Sequence, residues 1–137
     1  IIESNDIKIT TAIITNAFNF TAEKDRIERL SKNGHGICYH CNNHWPYAYL
    51  SYAQFTNEVA SARGFFSANN YDSSTWVYAY GSTNYEQGKW FKNNGFKAGF
   101  ITANAPISYG MNQFKLRRLG LYDNVDFSVY EEALNIE

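Results

Sequence analysis

Five side chains able to ligate a metal or act as a nucleophile or base fall close together in the chain: His35, Cys38, His40, Cys41 and His44. They are every histidine and cysteine of the sequence, and all lie in the stretch GHGICYHCNNHWPYAYLSY at residues 34 to 52. A zinc site here would use Cys38, Cys41 and His44 with His35 or His40 as fourth ligand, since thiolate and imidazole are preferred zinc donors. Structural zinc sites usually draw their ligand pairs from two segments, and the sequence holds no second pair. A strand through GICYHC also divides the set, because a period of two puts Cys38 and His40 on one face and Cys41 on the other. Redox chemistry by Cys38 and Cys41 calls for a helix start behind them, and NNHWP follows instead. Nucleophilic catalysis by Cys38 or Cys41 with His40 or His44 meets the same divergence of neighbouring strand residues. The residues are therefore read as a strand without a metal, with cysteines acting as small buried hydrophobes and histidines satisfying loop groups. A metal-dependent nuclease or toxin remains a reading that rests on this cluster alone.

Carboxylates are sparse before the C-terminal tail, and Glu58 stands apart, one position before Val59. If YAYLSY is a strand, Tyr47, Tyr49 and Glu58 meet at one end of a sheet. A negative group among aromatic rings suits a cationic ligand, whereas the alternative is a solvent-facing Glu58 paired with Arg63. Glu86 is a second carboxylate candidate, although a capping box from Thr83 to Glu86 already accounts for it. Lys115, Arg117 and Arg118 form a basic cluster able to hold a carboxylate or phosphate, or simply a solvated helix face. Glycine-rich phosphate loops of the GxGxxG or GxxxxGK type are absent.

These residues have to be positioned by elements that the periodicity suggests. Residues 7 to 18 read as a strand, and FTAEKDRIERLSKNG as a helix with Thr21 as N-cap, Ala22, Ile27 and Leu30 as buried positions, and Gly34 beyond its end. GICYHC and YAYLSY read as a hairpin with NNHWP as its loop. Phe55, Val59, Ala62 and Phe66 make one stripe of a second helix, closed by Asn69 and Asn70. Residues 74 to 81 read as a strand presenting Trp76, Tyr78 and Tyr80 on one face. A third helix runs to Gly95, and residues 96 to 102 form another strand. After Pro106 the pattern suggests a short helix at NQFKLRRLG, then a strand and terminal helix in NVDFSVYEEAL. The order strand, helix, strand, strand, helix, strand predicts an α+β domain with a ferredoxin-like antiparallel sheet, helices on one face and C-terminal additions. An open sheet face lined by Trp76, Tyr78 and Tyr80 would then be an oligomer surface.

Length and composition agree with one domain spanning residues 1 to 137 with a sizeable core. Hydrophobic residues make up 45% and aromatics 18%, while the charged fraction of 18% is low for a globular protein. Twelve Lys and Arg against thirteen Asp and Glu leave a net charge of −1, which offers no electrostatic footprint for nucleic acid. No apolar run is long enough to span a membrane. Two cysteines so close together indicate no disulfide framework and favour a cytoplasmic home. The start at Ile1 suggests a trimmed or partial chain.

The element order, with ASAR (60 to 63), Asp72 and WVYAY (76 to 80), resembles the bacteriophage enzymes that degrade S-adenosylmethionine, the SAM lyases, over about residues 7 to 82. The resemblance implies a PII-like homotrimer with sites between subunits, in the cytoplasm of an infected bacterial host, and an anti-restriction role. It implies intramolecular displacement of the sulfonium by the substrate's own carboxylate, giving methylthioadenosine and homoserine lactone without a cofactor. Orientation alone would supply much of that rate. Tyr47 and Glu58 match the family's catalytic Tyr and Glu, with Tyr39 a rival for the former. Tyr39, Tyr49, Glu86 and Arg118 would complete the substrate site. The hairpin loop lacks the acid that the family pattern carries. The alternative function is a non-catalytic, phage-type binding module that sequesters a nucleotide or blocks a host protein.

Overall fold

The computed structural model describes residues 8–18, 20–103, 105 and 107–118. Strand β1 (Thr10–Ile14) leads through a 3-10 turn, Thr15–Ala17, to helix α1 (Phe20–Lys32). Then come β2 (Gly36–Cys41), a 3-10 turn at Tyr47–Tyr49, helix α2 (Tyr52–Ala68), β3 (Thr75–Val77), a turn at Ala79–Gly81, α3 (Tyr85–Asn93) and β4 (Ala98–Phe100). Each described strand is thus followed by a helix up to β4.

All three strand pairings are parallel, in the order β1-β2-β3-β4. This corrects the antiparallel ferredoxin-like sheet expected from the sequence. A parallel neighbour requires a crossover, here a helix each time, and crossovers of one hand progressing in one direction build a singly wound sheet of the α/β barrel type. The error traces to one element. YAYLSY does not form a strand, so β2 has no hairpin partner, and two strands between helices become one.

Its sequence contains the reason. Pro46 opens a tight turn, and Ser51 caps α2 with a reciprocal box: the Ser51 Oγ accepts the Gln54 N–H at 3.3 Å, and the Gln54 side chain accepts the Ser51 N–H at 2.9 Å. The S-x-x-Q pattern is a helix start. The box at α3 is likewise one residue later than expected, with Asn84 and Gln87 as partners in place of Thr83 and Glu86. Thr21 lies within α1, so it is not the N-cap.

The α2 stripe behaves as its spacing predicts, with Phe55, Val59, Ala62 and Phe66 all buried. It packs on the helix-facing side of the sheet, where Tyr39 stacks on Phe66 at 3.9 Å and on Trp76 at 5.2 Å. Trp76 and Tyr78 are both fully buried, with Phe91 of α3 4.9 Å and 5.6 Å from their rings. The face expected to be an oligomer surface is therefore the core. Tyr80 departs from it by adopting a left-handed φ of 55°, which turns it outward to 68% exposure.

Beyond β4 the expected helix at NQFKLRRLG is replaced by chain running beside β4. Ile101 N–H donates to the Leu116 carbonyl at 2.8 Å, and Leu116 N–H donates to the Gly99 carbonyl at 2.9 Å. Leu116 bridges Phe100, and Arg118 bridges Ala103. NVDFSVYEEAL lies outside the described residues.

Candidate active site at the carboxyl end of the strands

In parallel α/β sheets the loops leaving the carboxyl ends of the strands are where ligands are usually held. Here those loops are tied together by side chains. Asn16 N–H of the β1 loop donates to the Asn42 carbonyl at 3.1 Å, and Thr15 Oγ1 donates to Asn42 Oδ1 at 2.8 Å. Asn16 Nδ2 donates to Asn43 Oδ1 at 2.7 Å. Ala48 N–H reaches Ser82 Oγ at 3.1 Å, joining the β2 and β3 loops.

At this end the β1 and β2 ladders slip by one residue. Ile13 pairs with Tyr39 while Ile14 pairs with Cys41, so His40 is the extra, bulged residue. A bulge re-aims side chains and breaks strict alternation. Left-handed φ values at Cys41 (114°) and His44 (55°) then fold the following loop back. The result brings His40 and His44 together, their Nε2 atoms 3.1 Å apart. The alternation that argued against a ligand cluster stops at this bulge.

His40 Nδ1 lies 2.8 Å from the Val77 carbonyl, an acceptor, which assigns the proton to Nδ1 and leaves Nε2 as a lone pair. Burial holds the His40 pKa below the ordinary imidazole range; the Val77 carbonyl opposes this, and the charges of His44 and Arg118 add to it. The ring is thereby kept neutral and directed. A backbone carbonyl on the far nitrogen is the support usual for a metal-ligating histidine. Two imidazole nitrogens on one tetrahedral zinc stand about 3.3 Å apart, close to the spacing here. The donor pair therefore fits a divalent cation. Among the described residues no group of three or more His, Cys, Asp or Glu side chains is placed to hold a metal, so the pair amounts to two donors of a site.

Other groups frame the pair. The Tyr80 ring lies 4.7 Å from that of His44. Gly81 has a φ of +67°, and a Cβ there would come within 2.4 Å of the Thr102 nitrogen, so only glycine lets this turn close on the β4 loop. Arg118 donates from Nε to the Ile101 carbonyl at 3.2 Å and from Nη2 to Thr102 Oγ1 at 3.1 Å. Its charge is felt at both His40 and Cys38.

The cysteines are not reactive groups. Burial pushes the Cys38 thiol up to about 11, against the lowering effect of Arg118. Burial likewise pushes Cys41 up to about 12, opposed by the His44 N–H that its sulfur accepts at 3.0 Å, while Glu58 adds to the rise. Both remain protonated thiols at neutral pH.

Glu58 is only 4% exposed, in α2. Its carboxylate accepts the Asn43 backbone N–H at 2.9 Å and the Asn43 side-chain amide. It thus anchors the loop carrying His44, with its acceptors engaged by the protein rather than aimed at a ligand. Tyr47 is fully buried, its hydroxyl without a hydrogen-bond partner among the described residues and its pKa held far above the phenol range by burial and by the charges of Cys41, Glu58 and Tyr78. Tyr47 and Glu58 do come near each other, as expected, but inside the molecule. Tyr39 is core. Tyr49, at 86% exposure, and Glu86, exposed in the first turn of α3, stand on the surface. Of the six residues named from the sequence, Arg118 is the one that the His40 electrostatics connect with the histidine pair. The sequence reading considers these histidines only beside the cysteines, as zinc ligands or as bases; a His-x-x-x-His spacing leaving a strand is the signal available for the pair itself.

The sequence profile of the polysaccharide deacetylase family matches residues 1–99. The fold is similar to that of the Streptococcus pyogenes deacetylase PplD in complex with acetate, at a TM-score of 0.83 and 16% identity, covering 96% of this chain and 61% of that one. It is also similar to a de-N-acetylase from Aggregatibacter actinomycetemcomitans, at a TM-score of 0.73 and 12% identity, covering 96% of this chain and 66% of that one. The chain thus spans less than two thirds of the length of either. No curated protein matches. The resemblance to SAM lyases is overturned by these findings. With it go S-adenosylmethionine as substrate, the lyase reaction, the PII-like fold and the anti-restriction role, and the nucleotide-sequestering alternative is contradicted as well. With its profile match extending over most of its length, the chain belongs to the polysaccharide deacetylase family.

Proposed function

We propose that the chain carries a hydrolytic de-N-acetylase site acting on an N-acetylated saccharide, with His40 and His44 as its cation-holding pair. The observation that carries this reading is the convergence of the two Nε2 atoms, 3.1 Å apart, at the carboxyl end of a parallel sheet. Family membership and the named activities of the two solved neighbours support it.

The reaction adds water across an amide: the acyl C–N bond breaks, acetate leaves, and the sugar nitrogen departs as an amine with a proton from the water. A divalent cation held by His40 and His44 would supply Lewis acidity, favouring a polarised amide carbonyl and lowering the pKa of a water so that hydroxide is available near neutral pH. The chain's own residues prepare for it. His40 is kept neutral because burial outweighs the opposing Val77 carbonyl, and by accepting from Nδ1 that carbonyl leaves the lone pair on Nε2. Glu58, through Asn43, holds the loop that presents His44. Tyr80 lies against His44 and shields one side of the pair from water. Protonated, buried Cys38 and Cys41 leave no thiolate to compete as a nucleophile. Remaining ligand positions would be filled by water and substrate.

Acetate release from N-acetylhexosamine oligomers in the presence of zinc tests the reading. Release is expected from the intact chain and at least 100-fold less from His40→Ala and His44→Ala, in line with losses on removing groups that act as a unit. Failure to release acetate from any N-acetylated saccharide, with zinc bound, overturns it.

A further inference from the structure

A polar cavity opens at the other end of the sheet, where the strands begin. Its volume is about 570 Å³, within the roughly 300–1,000 Å³ usual for small-molecule sites, and Thr10, Ser31, His35, Asp72 and Ser74 are among the residues that line it. The step along β2 from His35 to His40 covers roughly 16 Å of strand, so this cavity is separate from the histidine pair. His35 is only 5% exposed, yet its ring lines the cavity. Its Nδ1 accepts the Ile9 N–H at 3.1 Å, which assigns the proton of the neutral ring to Nε2. Nε2 has no partner among the described residues and is left as a fixed donor at the cavity wall. Unlike His40, this ring therefore offers no lone pair to a cation. Asp72 is the one carboxylate in the lining, which holds no Lys or Arg. It makes neither an ion pair nor a hydrogen bond among the described residues. Arg63, whose charge reaches Tyr39 together with that of Asp72, lies instead over the Phe96 ring at 5.6 Å. Gly36 keeps the floor open: a Cβ there would come within 2.7 Å of Thr10 Oγ1, so glycine leaves that hydroxyl room to be reached.

We infer that this cavity binds a small primary amine carrying hydroxyl groups, with its ammonium on Asp72 and its hydroxyls on the His35 Nε2–H and the hydroxyls of Thr10 and Ser74. An ammonium meets an unpaired carboxylate in a lining free of competing cations, and a charged hydrogen bond of that kind is stronger than a neutral one. The hydroxyls satisfy a buried donor that an apolar ligand would strand at a cost. An anionic ligand would meet the Asp72 carboxylate with no cation to offset it, and a metal ion would find a protonated nitrogen at His35. An amino sugar freed of its acetyl group belongs to the class described, so the product of the proposed reaction fits a site remote from the one that forms it. The ligand class is read from the lining residues and holds apart from that reaction.

The test titrates glucosamine, N-acetylglucosamine and butylamine into the intact chain and follows the amide resonances of residues 70–75 by nuclear magnetic resonance. Glucosamine is expected to shift them saturably. N-acetylglucosamine, which lacks the ammonium, and butylamine, which lacks the hydroxyls, are expected to bind at least tenfold more weakly. Asp72→Asn changes an exposed residue at constant shape and is expected to weaken glucosamine at least tenfold. His44→Ala is expected to leave glucosamine binding unchanged. No saturable shift, equal binding of the three probes, or binding that ignores Asp72→Asn and disappears in His44→Ala each overturns the inference. If glucosamine binds with the Asp72 dependence while no N-acetylated saccharide releases acetate, the amine site stands and the deacetylase reading falls. If acetate is released and glucosamine binding ignores Asp72, the reading stands and the amine site falls.

Discussion

At the residue scale, chemistry here is decided by which groups are kept from ionising. Cys38 and Cys41 look reactive in the sequence, yet burial places their pKa at about 11 and about 12, against an ordinary 9.0. The linkage has a definite sign. Below pH 9 the thiols are protonated whether the chain is folded or unfolded, so the stability they support is fully present. Above it the unfolded chain releases protons that the folded one retains, and stability falls by about 1.4 kcal/mol per pH unit for each thiol. Unfolding free energies from denaturant titrations at pH 8 to 10.5 are expected to stay level to about pH 9 and then decline towards this slope, less steeply in Cys38→Ala after its own baseline loss is subtracted. The histidines were legible as a dense cluster, but their pairing was not. Alternation along a strand is a local rule, and the bulge at His40 that suspends it comes from the pairing of β2 with β1, a segment more than twenty residues earlier.

At the scale of elements, the site depends on loops pinned to helices. Glu58 on α2 supplies both acceptors for Asn43 and so fixes the turn that brings His44 back to His40. Glu58→Ala leaves a backbone N–H and an amide without partners and is expected to destabilise the fold by about 2–3 kcal/mol in urea unfolding. Zinc affinity, measured by titration, should fall roughly 10-fold to 100-fold, the range usual for groups that orient ligands from behind. Glu58→Gln keeps one acceptor and should lose less of both. The sequence pointed to Glu58 because it stands isolated beside the α2 stripe, and the stripe itself was correctly read from its spacing. Its role differs from the expected one because YAYLSY forms a turn and the start of α2 instead of a strand. Its tyrosines favour strands, but Pro46 and the Ser51 to Gln54 box start a helix, and capping outweighs a weak β preference.

For the whole molecule, a single misread element changed the topology. With YAYLSY removed, the alternation of strand and helix leaves β1 to β4 parallel, and parallel order gathers all their loops at one end. That gathering makes a site from residues far apart in sequence: His40, His44, Tyr80 and Arg118. A cation that binds the folded chain at this end but not the unfolded one must stabilise it. At zinc concentrations 100-fold above the dissociation constant, the gain is expected to be about 2.7 kcal/mol, seen as a rise in Tm. His44→Ala should abolish that rise while leaving Tm in chelator within a few degrees, since His44 is only half-buried.

The sequence by itself determined helices α1 to α3, the buried stripe Phe55, Val59, Ala62 and Phe66, and the stretch in which the chemistry lies. These depend on spacing within a few turns of chain, where capping and periodicity act. Only the tertiary structure decided that the sheet is parallel, that Tyr39 and Tyr47 are core and Tyr80 is not, and that His40 faces His44. Those outcomes depend on register between distant strands. A one-residue slip between β1 and β2 re-aims His40 without any change in the residues around it.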